Sequence, residues 1–277
     1  MRINTTGYEK SFYFILNRVN SNWSNENLVL SGGCAYNGTA NGKIKQHTSF
    51  KNVWIPFAPS DAGSAIGACL YHYHQTLGNP KVKGGDNQSP YLGQDYHIAD
   101  FAFHIANNMP EDTKVEYLED NELVKKVASL IKDGNIIGWF QGRTEFGARA
   151  LGNRSILANP YIADIKDRVN KVIKKREGFR PFAPMVTKEK QHDYFEMIDD
   201  VPYMNQVVKV KEEFRDKLPA VTHVDGSARV QTVYKNTLIH DLLTEFEKVS
   251  GYPILLNTSF NVKDKTMVLT PKDAVET

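Results

Sequence analysis

An arginine-rich turn between two short apolar stretches constrains this chain more than any other feature. Residues 135–140 and residues 154–158 each predict a strand. The turn between them carries Arg143, Arg149 and Arg154 together with glycines and Glu145. A guanidinium group is always charged and its planar fork matches phosphate or carboxylate oxygens, while glycines let the backbone approach such a ligand. The turn therefore predicts an anion site, with a solvated loop held by salt bridges to Glu145 as the alternative.

Positive charge is concentrated around the same turn. Residues 143–180 hold ten Lys or Arg against four Asp or Glu, although the 277-residue chain has a net charge of only +2. A basic region on a near-neutral chain suits a small polyanion better than a long nucleic acid, so no nucleic-acid partner is expected. No apolar run approaches the ~18 residues of a membrane span, and no secretory signal is evident, so we expect a cytoplasmic protein without membrane association.

Alternating helical and strand patterns predict an α/β or α+β fold, with one domain over residues 1–107 and a second over residues 108–277. The polar residues 79–96 predict a surface loop. Predicted helices cover residues 8–25, 64–77, 120–133, 164–176 and 238–250. Predicted strands, besides the two above, cover residues 27–30, 53–56, 201–210, part of 223–233 and 252–256. Those at residues 27–30 and 252–256 are expected to be buried. The last of these strands is expected to end at a polar turn over residues 257–261.

Smaller features of the sequence leave alternatives open. The predicted strand 27–30 leads into Gly32 and Gly33, whose backbone N–H groups could face a phosphate or simply form a tight turn. Asp61 precedes a helix and predicts an N-cap, as Asp120 does. The small apolar neighbours of Cys34 and Cys69 predict buried thiols in a reducing compartment. His72 and His74 are expected on or near the surface. His192 and His223 are general-base candidates by residue type, but neither has a visible partner in the sequence, so structural roles are expected for both.

The motif at residues 141–156, QGRTEFGARALGNRSI, resembles the signature of O-carbamoyltransferases of the NodU/CmcH type. Segments at residues 30–37, 60–68, 180–184, 222–233 and 256–261 follow in the order found in that family. The resemblance implies that residues 1–107 form part of an actin/Hsp70-like (ASKHA, Kae1-like) domain, its second lobe. It implies a YrdC-like domain over residues 108–277. On this resemblance the chain is shorter than family members at both ends.

The resemblance also implies a reaction. The YrdC-like domain would join ATP and carbamoyl phosphate to carbamoyl adenylate with loss of pyrophosphate. The carbamoyl group would then pass to a hydroxyl of a small-molecule or saccharide acceptor in the actin-like domain. Mg²⁺ would accompany ATP, and Fe²⁺ or another divalent metal would occupy the complete actin-like site. That metal site needs a His-x-x-x-His pair, which these 277 residues lack.

The resemblance also implies roles for individual residues at positions that match the family's motifs. Carbamoyl phosphate and the adenylation transition state are assigned to Arg149, Lys174, Arg180 and Arg229. Polar contacts with ATP are assigned to Asn257 and Ser259, nucleotide contacts to Gly32, Gly33 and Gly63, and metal ligation to Asp61. Arg143 and Arg154 are further candidates, one of which could pair with Glu145. Lys175 and Arg176 are expected to be solvated at a helix end.

Three hypotheses about function follow from the sequence. The chain is part of an ATP-dependent O-carbamoyltransferase, a binding module that holds nucleotide and carbamoyl phosphate without turnover, or a YrdC-type tRNA-modification protein. The low net charge disfavours the last. In the first case the chain alone should perform the adenylation better than the complete transfer. It could form a homodimer or pair with a subunit that supplies the first lobe.

Overall fold

The computed structural model describes residues 5–81, 89–109 and 113–277 and divides them into two compact units. The first unit runs to Ser89 and includes Asn205–Val207, and the second comprises Pro90–Met204 and Val208–Thr277. The domain boundary expected at residues 107/108 stays a prediction. Part of the loop expected over residues 79–96, namely residues 82–88, lies outside the described residues, as do residues 1–4 of the expected first domain.

The first unit has a small core beneath its N-terminal helix. Its elements are α1 (Thr5–Trp23), β1 (Asn27–Val29), a 3-10 turn (Gly33–Tyr36), α2 (Gly38–Asn41), α3 (Ile44–His47), β2 (Asn52–Trp54) and α4 (Asp61–Tyr71), which continues in wider helical turns over His72–Thr76. The buried core consists of Tyr13, Leu16, Ile44 and Phe50. β1 and β2 pair in parallel, with Val29 opposite Trp54.

Several expectations for the first unit are wrong. The strand expected to be buried leaves Val29 71% exposed, because the two-stranded sheet of β1 and β2 packs on the core through Leu28 and Val53, which alternate with Val29 and Trp54. Cys34 and Cys69 are exposed rather than buried. Asp61 is the first residue of α4 and Ser60 occupies the N-cap position, so Asp61 is not the cap. Small neighbours permit burial of a thiol but do not supply the packing partners that cause it.

The second unit is a mixed α/β structure built on a five-stranded sheet. Its elements are α5 (Ile98–Asn108), α6 (Asp120–Lys132), β3 (Ile137–Phe140), β4 (Arg154–Ala158), α7 (Ile165–Arg168) with wider turns over Val169–Lys174, β5 (Ala183–Thr187), α8 (Gln191–Tyr194), β6 (Phe195–Glu196), β7 (Val208–Val210), α9 (Glu212–Arg215), β8 (Ser227–Ala228), β9 (Gln231–Val233), α10 (Leu238–Ser250), β10 (Ile254–Ser259) and α11 (Pro271–Glu276). The mixed α/β class is confirmed.

The main sheet has the order β3-β4-β10-β5-β9, antiparallel except for the parallel pair β5 and β9. A smaller antiparallel sheet joins β6, β7 and β8. Neighbouring residues of a strand point to opposite faces, so the sheet contributes to a core on each side. Leu255 packs with α6 and α10 on one face. Ile254 and Leu256 pack on the other face with residues of α7, α8 and the smaller sheet.

Long periodic segments of the second unit were predicted more accurately than short ones. The helix predicted at residues 238–250 and the strand at 154–158 have the predicted bounds. The strand expected over residues 201–210 is wrong for most of its length, since only Val208–Val210 pair. The turn expected at residues 257–261 begins later, because β10 extends to Ser259. Glu119 rather than Asp120 occupies the N-cap position of α6.

No helix within the described ranges is long and apolar enough to cross a membrane.

Candidate anion-binding site

The arginine loop, residues 141–154, is held by a buried carboxylate in its own sequence. Oε1 of Glu145 accepts hydrogen bonds from the backbone N–H groups of Leu151 at 2.7 Å, Asn153 at 2.9 Å and Arg154 at 3.3 Å. Glu145 is 4% exposed, so these charge-assisted bonds lie away from competing water. Glu145 thus shapes the loop through the backbone, an arrangement that the sequence alternatives did not include.

Arg154 is fully buried and its guanidinium group supports the same loop. Its terminal nitrogens donate to the carbonyl oxygens of Gln141 at 2.6 Å, Gly142 at 3.0 Å and Asn153 at 3.0 Å. Its Cζ lies 3.4 Å from the ring centre of Phe140. Burial lowers the pKa of Arg154, and the nearby Glu145 carboxylate opposes that shift. These contacts give Arg154 a role in holding the loop, and its predicted contact with substrate stays a prediction.

Buried amide side chains hold the carbonyl groups next to Arg149. Asn257 donates from Nδ2 to the carbonyl oxygen of Ala150 at 3.1 Å and to Oε1 of Gln231 at 2.8 Å. Gln231 in turn donates to the carbonyl oxygen of Leu151 at 2.7 Å. These bonds fix the backbone on the C-terminal side of Arg149. Gln231 lies in the matched motif at residues 222–233, but sequence reasoning did not select it.

Lys174 is 7% exposed and is surrounded by oxygen atoms of the turn that follows β10. Its Nζ contacts the carbonyl oxygen of Ser259 at 2.5 Å, Oγ of Ser259 at 3.2 Å, the carbonyl oxygen of Asn261 at 3.0 Å and Oδ1 of Asn261 at 2.6 Å. Burial, followed by repulsion from Arg176, lowers the pKa of Lys174 to about 8. The predicted site residues Lys174 and Ser259 are therefore in direct contact.

Arg176, which the sequence predicted to be solvated, is partly buried and lies near other cationic residues. Burial lowers the pKa of Arg229 to about 10, and repulsion from Arg149 and then Arg176 adds to the shift. Burial and repulsion from Arg180 likewise lower the pKa of Arg176. Mutual repulsion of this kind requires proximity. Lys174, Arg176 and Arg180 line one cavity. Arg229 lies within electrostatic range of Arg149 and Arg176.

A cavity of about 400 Å³ adjoins part of this cation cluster. Its volume is in the range of small-molecule sites. Arg180 lines it and is half exposed, with an ion pair of 3.2 Å to Glu177. The lining residues are Lys174, Lys175, Arg176, Glu177, Arg180, Ser259, Asn261, Val262, Lys263 and Asp264. The lining is mainly polar and basic, which suits an anionic ligand.

Arg143 differs from the clustered cations. It is exposed, and its NH1 donates to the carbonyl oxygen of Gly93 at 3.3 Å. His223, a general-base candidate by residue type, has Nδ1 3.2 Å from Oγ of Ser227, and burial lowers its pKa. That contact is typical of a structural histidine.

The residues assigned to nucleotide and metal in the first unit have local structural roles. Gly32 has a φ of 97°, and its carbonyl oxygen accepts a hydrogen bond from the N–H of Ala35 at 3.0 Å, as in a tight turn. Its N–H donates to the carbonyl oxygen of Pro59 at 2.6 Å. A Cβ at Gly63 would lie 2.1 Å from the carbonyl oxygen of Ala58, so close packing requires the glycine. Asp61 is exposed. Among the described residues, no three His, Cys, Asp or Glu side chains are grouped as a metal site.

Comparison with known proteins identifies the family. Residues 128–277 match the family model described as carbamoyltransferase C-terminus, and residues 8–70 match carbamoyltransferase N-terminus. The chain belongs to the carbamoyltransferase family. Among its relatives in the family is the nodulation protein NolNO of Sinorhizobium fredii, 43% identical over 90% of this chain and 37% of the relative. Another is the protein sll1178 of Synechocystis, 42% identical over 90% of this chain and 44% of the relative.

This carbamoyltransferase chain thus spans less than half the length of these curated relatives. Among solved structures, full-length HypF in a phosphate- and nucleotide-bound form covers 59% of this chain and 20% of its own, with a TM-score of 0.37 and 15% identity. A likeness at that level carries no argument about this chain.

Proposed function

We propose that the second unit binds ATP and carbamoyl phosphate and joins them as carbamoyl adenylate. The observation that carries the proposal is the convergence of Arg149, Lys174, Arg180 and Arg229, which are 80 residues apart at the extremes of the sequence. Cations that repel one another in a partly dry site destabilise the free protein. A ligand with several phosphate charges would offset that repulsion, and both substrates provide such charges.

The atoms of the reaction balance in two steps. Water first releases inorganic phosphate from carbamoyl phosphate, which leaves carbamate. An oxygen of carbamate then attacks the α-phosphorus of ATP, and the bond to the β-phosphate oxygen breaks to release pyrophosphate. Negative charge develops on the phosphoryl oxygens in both steps, and positioned cations stabilise it most where water is excluded. Arg229 and Lys174, which are largely buried, fit this role, and Arg180 at the cavity fits initial binding.

The loop around Arg149 supports the same reaction by limiting motion. Glu145, Gln231 and Asn257 hold the backbone at residues 150–154 in a single arrangement. A cation on a fixed backbone needs less ordering when the transition state forms, which lowers the entropic cost of the reaction. Asn257 therefore contributes by positioning the loop, and any direct contact of Asn257 or Ser259 with ATP belongs to the proposal.

For the second half of the reaction, we propose a mechanism only for the longer family members. There the carbamoyl group of the adenylate would pass to a hydroxyl of a small-molecule or saccharide acceptor, with release of AMP. The first unit would be the second lobe of an actin-like domain, the second unit would be YrdC-like, and the protein would act in the cytoplasm. Asp61 alone does not fit a complete Fe²⁺ site, since such sites need several ligands, so no step is derived through that metal.

The test measures both products in one tube. The chain is incubated with carbamoyl phosphate, ATP and Mg²⁺, and phosphate and pyrophosphate are followed together. We expect pyrophosphate only when both substrates are present, and loss of pyrophosphate in Arg229→Met. Lys125→Ala is the matched control, because Lys125 is an exposed cation on α6 outside the cluster. A folded chain that binds both substrates but releases no pyrophosphate would support a binding module instead, and one that binds neither would overturn the proposal.

A further inference from the structure

His223 is a titratable side chain in the motif at residues 222–233, and the proposed reaction so far gives it no role. It lies in the loop between α9 and β8. Its N–H donates to the carbonyl oxygen of Ser227 at 2.7 Å, and its carbonyl oxygen accepts from the N–H of Gly226 at 2.9 Å. These two bonds close the loop and hold His223 beside the strand that Arg229 directly follows.

We infer that His223 is the general base of the proposed reaction, and that its Nε2 accepts a proton from the water that attacks carbamoyl phosphate. The identity of the reaction rests on the proposed function. The assignment of Nε2 as the proton acceptor rests on the hydrogen bonds around the ring.

Ser227 and Asp225 determine which ring nitrogen of His223 carries the proton. The hydroxyl of Ser227 donates to Oδ1 of Asp225 at 2.6 Å, because an ionised carboxylate can only accept. Burial opposes ionisation of Asp225, but two hydrogen bonds from Ser227 lower its pKa. Oγ of Ser227 also lies 3.2 Å from Nδ1 of His223. Since the proton of Ser227 is already donated to Asp225, Nδ1 must be the donor in this contact, and Nε2 of the neutral ring holds the free electron pair.

Nε2 of His223 is available to a small molecule. Among the described residues it has no hydrogen-bond partner, so the structural contact is confined to Nδ1. His223 also lines a surface cavity of about 550 Å³, whose other charged residues are Arg215, Asp216 and Asp225. A water molecule can therefore reach the ring from this cavity.

The charges near His223 favour its neutral form. Burial lowers its pKa below the ordinary value of 6.5, the Asp225 carboxylate opposes that shift, and the positive charge of Arg229 adds to it. Only the neutral imidazole can accept a proton. The repulsion also places His223 within electrostatic range of Arg229, a cation assigned to the phosphoryl group. In this arrangement Arg229 stabilises the developing negative charge, and His223 removes the proton.

The proton balance of the first step requires such an acceptor. The oxygen of water attacks the phosphorus of carbamoyl phosphate, and the bond from phosphorus to the carbamoyl oxygen breaks with its electron pair remaining on carbamate. The attacking water loses one proton as inorganic phosphate forms. Nε2 of His223 takes this proton and then releases it to solvent. The arginines near the site cannot accept it, because a guanidinium group stays protonated.

The main experiment measures pyrophosphate formation by the whole chain from about pH 5 to about pH 8. We expect kcat of His223→Gln to fall at least about 100-fold with little change in KM for either substrate, as loss of a general base does. Activity of the unsubstituted chain should fall at acidic pH, where His223 becomes protonated, and the variant should lack that dependence. His192→Gln is the matched control, since His192 is an exposed histidine on α8 and should leave kcat and the pH profile unchanged.

A second measurement does not depend on activity. Long-range ¹H–¹⁵N correlation spectra of the chain labelled with ¹⁵N-histidine report which ring nitrogen is protonated, and His223 is identified by the signals that His223→Gln lacks. We expect a proton on Nδ1 and none on Nε2 at neutral pH. In Ser227→Ala, Nδ1 loses its acceptor, so both tautomers should be populated and kcat should fall by an intermediate factor. A proton on Nε2 in the unsubstituted chain would overturn the inference.

The outcomes separate this inference from the proposed function. If His223→Gln is folded by thermal denaturation and forms pyrophosphate at the normal rate, the inference is wrong and the proposed function stands. If the folded, unsubstituted chain forms no pyrophosphate, the proposed function fails and the role of His223 fails with it. If His223→Gln does not fold, diethyl pyrocarbonate modification of the unsubstituted chain replaces it. Peptide mass spectrometry should then find His223 modified and protected by the two substrates, and a lack of protection would overturn the inference.

Discussion

Arg154 in the arginine loop and Arg176 in the segment 170–180 both lie against a phenylalanine ring and both donate to oxygen atoms of nearby residues. Their terminal nitrogens differ. Those of Arg154 bind backbone carbonyl groups of its own loop, in full burial. Those of Arg176 have no such partner among the described residues, and Nε alone anchors the group. The comparison teaches that two arginines of one basic region can differ: one has its terminal nitrogens bound by its own loop, and the other keeps them available for other contacts.

The largest expected effect concerns the arginine loop. Arg154→Met would leave the carbonyl groups of Gln141, Gly142 and Asn153 buried without their charged donor. We expect the free energy of unfolding to fall by roughly 3–5 kcal/mol in urea denaturation, since loss of a buried charged partner is costly. The control is Arg143→Met, which removes an exposed side chain and should change stability by about 0.5 kcal/mol or less. Equal effects of the two substitutions would contradict a role of Arg154 in stability that Arg143 lacks.

Substitution of Arg229 is expected to change stability in the opposite direction. Burial and like charges lower its pKa to about 10, so the folded state disfavours its charged form at neutral pH. In the absence of anions we therefore expect Arg229→Met to raise the free energy of unfolding by about 1–3 kcal/mol, while pyrophosphate binding is lost. Denaturation in an anion-poor buffer, paired with calorimetric titration, measures both quantities. A less stable variant would show that Arg229 is a structural residue like Arg154.

Arg180 should affect binding with little change in stability. It is half exposed and its ion pair with Glu177 is exposed as well, so the pair adds little to folding. We expect Arg180→Ala to weaken carbamoyl phosphate binding by about 1.5–3 kcal/mol, and Arg180→Lys to restore part of it. A Kd unchanged in Arg180→Ala would remove this residue from the site.

The smallest effect is a dependence on pH. The pKa of Lys174, about 8, lies below its ordinary value of 10.5, so its charge is lost as pH rises through about 8. Binding of sulfate, which stays fully ionised, should weaken by about 1 kcal/mol between pH 7 and pH 9. Stability without anion should rise with pH between about 8 and 10.5, because the unfolded chain binds the extra proton there. Lys174→Arg should flatten the binding profile, and an unchanged profile would assign the titration to another group.

The sequence predicted features that depend on local interactions better than features that depend on distant residues. The helix at residues 238–250 and the strand at 154–158 follow from local periodicity, and both were predicted with their bounds. The buried strand at 27–30 and the buried thiols of Cys34 and Cys69 were wrong, because burial depends on what another part of the chain places against a residue. Short strands such as Val208–Val210 depend likewise on a partner strand that local pattern does not reveal.

The same division applies to the site. The sequence by itself determined the family and the cations of the long motifs, since residue types and their order along the chain do not depend on the fold. Only the tertiary structure decided what each cation does: it enclosed Arg154 in its own loop, surrounded Lys174 with oxygens of Ser259 and Asn261, and placed Arg176 among Lys174, Arg180 and Arg229. The physical reason is that hydrogen bonding and desolvation depend on atoms brought together from distant residues, whereas residue type and periodicity belong to the sequence itself.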